Sequence, residues 1–405
     1  MNDIVFKAQV HPIRIFSGPS SLEHLPKEIA RLGARRVLLI SGRTVSRTTS
    51  LIDDIEALLD NRLSGRFDEI DRHCLEPSMT KAIDFAKQRN VDSIVAIGAG
   101  TACMAARIIA IGMAEKGKFE QLATNYLPGQ VPVSPRLLQP KVPIWNVLTT
   151  ATAAQNGAGA TMNTSPQSGR LEFFDPKTRA TGVFWDGQAL STASIKVTRA
   201  AALSTLWFAL MRMGGVSKAN PLVQADRHHA WQLALNSIDQ LSGSLSTEAR
   251  INMCAASYLL NRDFDHGGLP FEAHWVCRVC YALGAGLMSV CKKISPGEAY
   301  LSLTLSAMLI FGDRDLEVLR EMCSYLPSVN RLALKDWGVK EMGRAIEEFF
   351  ALKQFSFDPR SFGVTPEDFP RVRNVALRNF NADRRSEFGK EVELLDKVLS
   401  LALVV

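Results

Sequence analysis

The chain has 405 residues, enough for two hydrophobic cores, because single cores rarely grow past about 250 residues. Apolar residues make up 46% and charged residues 22%, and the net charge of +6 is spread thinly, with no dense Lys/Arg block interleaved with aromatics. That balance speaks against a nucleic-acid partner and fits a mild attraction for anionic small molecules. Seven cysteines, odd in number and sparse, exclude a disulfide framework and suit a reducing compartment. The opening MNDIVFKAQVHPIRIF lacks the apolar core of a secretory signal, and no apolar run reaches membrane-span length. A cytoplasmic protein without membrane contact is expected.

Strand and helix patterns alternate over the first 110 residues. Ser20 and Ser21 stand where a helix cap belongs, ahead of Leu22, Leu25, Ile29 and Leu32 at helical spacing, and Gly33 stops that run. Val37 to Ile40 is too short for a helix and reads as a buried strand ending in Ser41-Gly42-Arg43. Residues 51–60 read as helix, 67–70 as a short strand and 79–89 as helix. Ser93 to Ile97 is a second buried-strand signature, followed by Gly98-Ala99-Gly100-Thr101 and a helical run to about Met113. Residues 114–142 are loop-like. Pro143 to Leu148 resumes a strand that ends in Thr149-Thr150, and 151–190 is rich in small residues with hairpin-like pieces such as Leu171 to Phe174. From about Ile195 the pattern is helical almost to the end. This order predicts an α/β domain with a Rossmann-like parallel sheet over 1–190 and an all-α domain over 191–405, with a cleft between them.

Three segments carry candidate binding chemistry. Gly98-Ala99-Gly100-Thr101 lies between a strand and a helix, where bare backbone N–H groups and the helix N-terminus can hold a pyrophosphate. Strand-to-helix turns often contain two glycines without binding anything, so this signal is weak alone. Thr149 and Thr150 are a second candidate contact, or simply a Thr-rich strand end. At the end of the first buried strand, Ser41 and Gly42 leave room and Arg43 can meet a 2′-phosphate, which tilts the reading toward NADP over NAD; an ordinary loop arginine is the alternative.

These segments together resemble the iron-containing alcohol dehydrogenase superfamily, of dehydroquinate synthase-like fold, and its maleylacetate reductase branch. The glycine turn is similar to the family's GGGS, with Met104 and Arg107 where an Asp and a Lys often follow. Thr149-Thr150 resembles the family's PTT segment, with Leu148 for the proline and Ala151 to Asn156 in place of the turn ending in Glu. Thr198–Met211 resembles the TGxDAxxHAxE helix, and Val276 to Ala285 resembles HHKLCHVLGG. Residues 251–260 and the run from Asn381 to Leu401 also look family-like, so the resemblance spans nearly the whole chain. It departs at the centre. The aspartate and three histidines that hold a divalent cation in metal-dependent members fall on Ala201, Thr205, Cys277 and Cys291, and the family's glutamate falls on Phe208.

Neither a methyl group nor a neutral hydroxyl is a competent ligand for such a cation. A substitute zinc site from His274, Cys277, Cys280 and Cys291 is conceivable, but buried cysteines are common core residues and CxxC alone is weak evidence. His228 and His229 read as surface residues of an amphipathic helix. The resemblance implies an NAD- or NADP-dependent oxidoreductase, edited to work without a metal on a small carbonyl or oxo-acid substrate that is anionic. Tyr281, at the second histidine of the segment, is the candidate acid, with Arg278 and Arg199 as cationic partners. A homodimer is implied by the family. The alternatives are a non-redox or specialised biosynthetic enzyme, or a nucleotide-binding pseudoenzyme, on the same scaffold.

Overall fold

The computed structural model describes residues 5–127, 130–165, 169–241, 246–269, 271 and 273–403. The strands are β1 (Arg14–Gly18), β2 (Val37–Gly42), β3 (Leu63–Ile70), β4 (Ser93–Gly98), β5 (Ile144–Leu148), β6 (Gly159–Asn163), β7 (Arg170–Phe174) and β8 (Gly182–Asp186). Helices of the first half are α1 (Leu25–Arg31), α2 (Arg43–Thr48), α3 (Leu51–Leu59), α4 (Glu76–Gln88), α5 (Gly100–Ala114), α6 (Phe119–Leu122) and α7 (Gly187–Ser191). After Ser194 the regular elements are all helical: α8 (Ile195–Met211), α9 (Pro221–Ile238), α10 (Thr247–Arg262), α11 (Trp275–Val290) and α12 (Pro296–Phe311). They continue as α13 (Leu316–Cys323), α14 (Val339–Leu352), α15 (Phe369–Ala376) and α16 (Val392–Leu403).

Six strands form one parallel sheet in the order β1-β8-β5-β4-β2-β3. The central strands β4 and β5 are buried along their whole length, as continuous apolar runs require when helices cover both faces. Chain direction reverses beside β2: the connection from β2 runs outward to β3, and the next returns across β2 to β4. A crevice opens at the carboxyl ends of strands at such a switch point. β6 and β7 stand apart as an antiparallel hairpin, with Asn163 opposite Arg170.

Several local expectations change. Ser20 has a left-handed backbone (φ 56°) and caps nothing, and the Ser21 hydroxyl donates to Asp186 instead, 3.1 Å away. A 3-10 turn (Ser21–His24) precedes α1, and Gly33 (φ 71°) follows it. Arg43 opens a helix of its own and is not a loop residue. The edge strand β1 has an exposed pattern, and β8 is five residues long and starts at a glycine; neither carries a strong periodic signal. His228 is half-buried and bonds the Tyr325 hydroxyl (3.0 Å), whereas His229 is exposed.

One core runs from Leu148, Val183 and Trp185 of the sheet into α8–α12, so the two halves share buried apolar surface. Polar bonds reinforce that junction. The Gln155 amide donates to the Cys254 carbonyl (2.9 Å) while its oxygen accepts from the Trp185 indole (2.8 Å). At the far end, Gly286 lets α11 press on α15: a Cβ there would lie 2.3 Å from the Val372 carbonyl oxygen. Gly286→Ala is therefore expected to destabilise the protein by about 1–3 kcal/mol, read from urea melts, since backbone cannot yield cheaply to an added methyl. Among the described residues no helix is long and apolar enough to cross a membrane.

Candidate active site

A cavity of about 880 Å³ fills the crevice at the switch point, within the ~300–1,000 Å³ of typical small-molecule sites. Gly42 and Arg43 line it from the end of β2, Gly98 and Ala99 from the end of β4, and Thr149 from the end of β5. The opposite wall belongs to the helical half, through Ala193, Ser194 and Val197.

The turns around it are built for close backbone approach. Gly98 has φ +147°, a conformation that L side chains rarely adopt. Its carbonyl accepts from Thr149 N–H (3.1 Å), which ties the β4 and β5 turns together. Gly100 starts α5, and a Cβ on it would meet Thr152 Oγ1 at 2.9 Å. The N-termini of α5 and of the 17-residue α8, capped by Ser194, both reach the cavity wall. Their unpaired N–H groups and partial positive charge suit phosphate oxygens. This glycine cradle and the paired helix starts fit the pyrophosphate of a dinucleotide.

Gly42, Arg43, Gly98, Ala99, Thr101 and Thr149 thus share one cavity, as the sequence pattern suggested, whereas Ser41, Gly100 and Thr150 do not face it. Ser41 and Thr150 are buried, and Gly100 packs on Thr152. Arg43 is exposed and only loosely paired with Glu69 (3.7 Å). Lining residues without a motif are Asp71, Arg72 and Leu75 of the loop after β3, and Ser78 and Lys81 of α4. Their only sequence signal is their place just after a strand, where α/β crevices lie. Arg72 Nη2 also reaches across to the Ile294 carbonyl of the helical half (2.6 Å). Arg107 is buried and donates to the Ala154 and Gly159 carbonyls, fixing the loop after Thr150 on α5. Burial lowers its pKa to about 10, so it stays charged at neutral pH.

The three catalytic candidates do not converge on one point. Arg278 pairs with Asp383 (3.1 Å) and Glu387 (2.7 Å) and lies over the Trp275 ring. Arg199 donates to the Lys353 carbonyl (2.9 Å) and covers Phe355. Tyr281 is half-buried, stacked on Phe271 with centroids 4.3 Å apart, and its hydroxyl bonds the Asn381 side chain. Burial pushes its pKa up, opposed by the positive charge of Arg170.

The side chains at Ala201, Thr205, Cys277 and Cys291, where the sequence resemblance places metal ligands, do not by their chemistry suit a divalent cation. Thr205 Oγ1 donates to the Ala201 carbonyl one turn back (3.2 Å). Burial pushes the Cys277 thiol up to about 12, so it holds its proton, and burial raises Cys280 as well. Both nitrogens of nearby His274 are engaged: Nδ1 accepts from Cys277 N–H (3.2 Å) and Nε2 bonds the Met211 carbonyl (3.0 Å). Phe208 meets the rings of Phe271, Tyr281 and Tyr300 within 6 Å. Among the described residues no group of three or more His, Cys, Asp or Glu side chains is placed to hold a metal. All seven cysteines are buried free thiols.

The glycine turn, the switch-point cavity and the helical partner half make up an architecture with known counterparts. Residues 12–187 match the family model for iron-containing alcohol dehydrogenases. The chain is similar to maleylacetate reductase 1 of Cupriavidus pinatubonensis, 22% identical over 90% of this chain and 89% of that protein. Among solved structures it resembles NADH-dependent butanol dehydrogenase A of Thermotoga maritima (TM-score 0.75, 16% identity), with 100% of this chain and 99% of that one covered. It also resembles maleylacetate reductase of Rhizobium sp. (TM-score 0.70, 15% identity, 99% and 98% covered). The parallel-sheet domain followed by a helical domain is therefore a fold shared with these solved structures.

Proposed function

We propose that this chain is an NADPH-dependent reductase of a small carbonyl or oxo-acid substrate, and that it works without a metal ion. The observation that carries the proposal is an open glycine-cradled crevice, taken with the poor cation-binding chemistry of Ala201, Thr205, Cys277 and Cys291. The likeness to iron-containing alcohol dehydrogenases and maleylacetate reductases supports the oxidoreductase class. Nicotinamide, when bound, supplies the hydride. The chain's own groups would hold the phosphates at Gly98, Ala99, Thr101 and the start of α8, beside the Thr149 turn. A cytoplasmic homodimer acting on an anionic substrate completes the proposal.

The test is a titration of EDTA-treated protein with NADPH and NADH, followed by nicotinamide fluorescence and then by oxidation of the cofactor with oxo-acids and aldehydes. Tight NADPH binding and EDTA-resistant turnover are expected. Stoichiometric metal in active protein would overturn the metal-free reading, and binding without any turnover would leave a nucleotide-binding protein. Arg43 provides a sharper check. Its exposed pairing with Glu69 is weak, so its guanidinium is free to meet a 2′-phosphate. Arg43→Ala is expected to weaken NADPH binding about tenfold, the loss of one charge-assisted contact, and to leave NADH within about twofold.

A further inference from the structure

Charges on the crevice wall divide into those already engaged and those left over. Asp71 Oδ1 accepts from His73 N–H (3.0 Å) and Leu75 N–H (2.9 Å), so it serves the turn after β3. Arg72 reaches the Ile294 carbonyl. That leaves Arg43, Glu69 and Lys81, three exposed side chains that line the same cavity. Arg43 Nη2 lies 3.7 Å from Glu69 Oε2, and both side chains are more than half exposed, at 60% and 56%. Such a pair holds its members weakly. Lys81 makes no ion pair among the described residues.

Backbone contacts gather the three at one end of the crevice. Gly42 pairs with Ile70 in the β2–β3 ladder, so Arg43 and Glu69 flank one register position at the carboxyl ends of the two strands. Ser78 Oγ donates to the Glu69 carbonyl (3.0 Å) and fastens the start of α4 to the end of β3. Lys81 follows Ser78 by three residues and shares its helix face, and both line the cavity. Through these contacts Glu69 adjoins both the arginine that opens α2 and the helix face that carries Lys81.

Charge balance then assigns the leftover groups. A phosphate monoester at the ribose 2′ position carries about two negative charges at neutral pH. Arg43 alone would balance one of them, and Glu69 adds one that repels the phosphate. A second cation is required, and Lys81 is the lining cation that no other contact takes. Resting on the NADPH reading, we infer that Lys81 is the second cation of a 2′-phosphate subsite and that Glu69 is its specificity-determining residue, competing with the phosphate for Arg43. Lys81 supplies a point charge on a flexible stem, and planar recognition falls to the Arg43 fork. The Glu69 carboxylate is an acceptor for the bare ribose hydroxyls of NAD, so it opposes the two cations in setting the preference.

The test uses the full chain and two probes that need no turnover, adenosine 2′,5′-bisphosphate and adenosine 5′-phosphate, titrated by calorimetry. Wild type is expected to bind the bisphosphate about tenfold more tightly, a ratio that shrinks with added salt because the subsite is exposed. Lys81→Ala should weaken the bisphosphate about fivefold and leave the monophosphate within about twofold. Lys87→Ala, also exposed but at the other end of α4 and outside the cavity, should change neither. Glu69→Gln should tighten the bisphosphate about threefold, because a like charge leaves the subsite. These side chains are exposed, so the variants are expected to fold as wild type does. The assignment falls if wild type binds both nucleotides equally. It falls also if Lys81→Ala weakens both alike or does no more than Lys87→Ala, or if Glu69→Gln fails to tighten the bisphosphate. Failure of wild type to bind either nucleotide would remove the dinucleotide reading itself, whereas binding of both with Lys81→Ala silent would remove only this subsite.

Discussion

Arg278→Met is expected to cost about 3–5 kcal/mol of stability, the usual result of stripping one partner from a buried ion pair. Arg278 Nη2 lies 3.1 Å from Asp383 and 2.7 Å from Glu387, and its Nε donates to the Ala382 carbonyl (2.8 Å). The guanidinium is flanked by Trp275 (4.4 Å) and Phe388 (5.1 Å). Asp383 is only 3% exposed and also accepts from the N–H groups of Glu387 (2.8 Å) and Phe388 (2.9 Å), so it organises the turn leading into α16. Burial already pushes its carboxyl up, and without Arg278 its charge would be uncompensated. A clear drop in melting temperature is expected, with NADPH affinity of the folded protein unchanged. Arg278→Lys should recover little, because it keeps the charge and loses the planar stack. An unchanged melting temperature together with lost turnover would instead place Arg278 in the reaction.

Acidification should weaken the fold through His274, by up to about 3 kcal/mol. This residue caps α11 with Nδ1 as acceptor, bonds the Met211 carbonyl through Nε2, and is 2% exposed. Burial lowers its pKa from 6.5 to about 4. The sign follows from proton uptake: between these values the unfolded chain binds a proton that the folded chain refuses. The contribution is complete above about pH 6.5 and is lost as pH falls toward 4. His11 and His73 are also lowered by burial and act in the same direction, so the comparison must isolate one residue. His274→Asn retains a side-chain acceptor at the cap and cannot titrate. Urea melts at about pH 7.5, 5.5 and 4.5 should show the gap between this variant and wild type narrowing or reversing as pH falls. A constant gap would mean that His274 does not titrate as its burial demands.

The two readings of Arg278 mark the limit of sequence patterns. In sequence it lies three residues before Tyr281 in a segment resembling a catalytic helix, and nothing local separates the two. Both turn toward the chain before α16, Tyr281 to Asn381 and Arg278 to Ala382 and Asp383, but only the Arg278 guanidinium is taken up by ion pairs there. Arg199 parted from both for the same reason, because its guanidinium was taken by the end of α14.

Strands β2, β4 and β5, the glycine turn, the Thr149 position and the long helices after Ser194 were legible because each is local. Continuous apolar runs demand burial on both faces, paired glycines permit close backbone approach, and a 3.6-residue period declares a packing face. That Ala201, Thr205, Cys277 and Cys291 are poor ligands for a hard cation was equally plain, since side-chain chemistry needs no coordinates. The edge strand β1, the short β8 and the loop after β3 that completes the crevice were decided only by tertiary structure. Their energy comes from partners distant in sequence, and pairing between distant segments leaves no trace in the local order of residues.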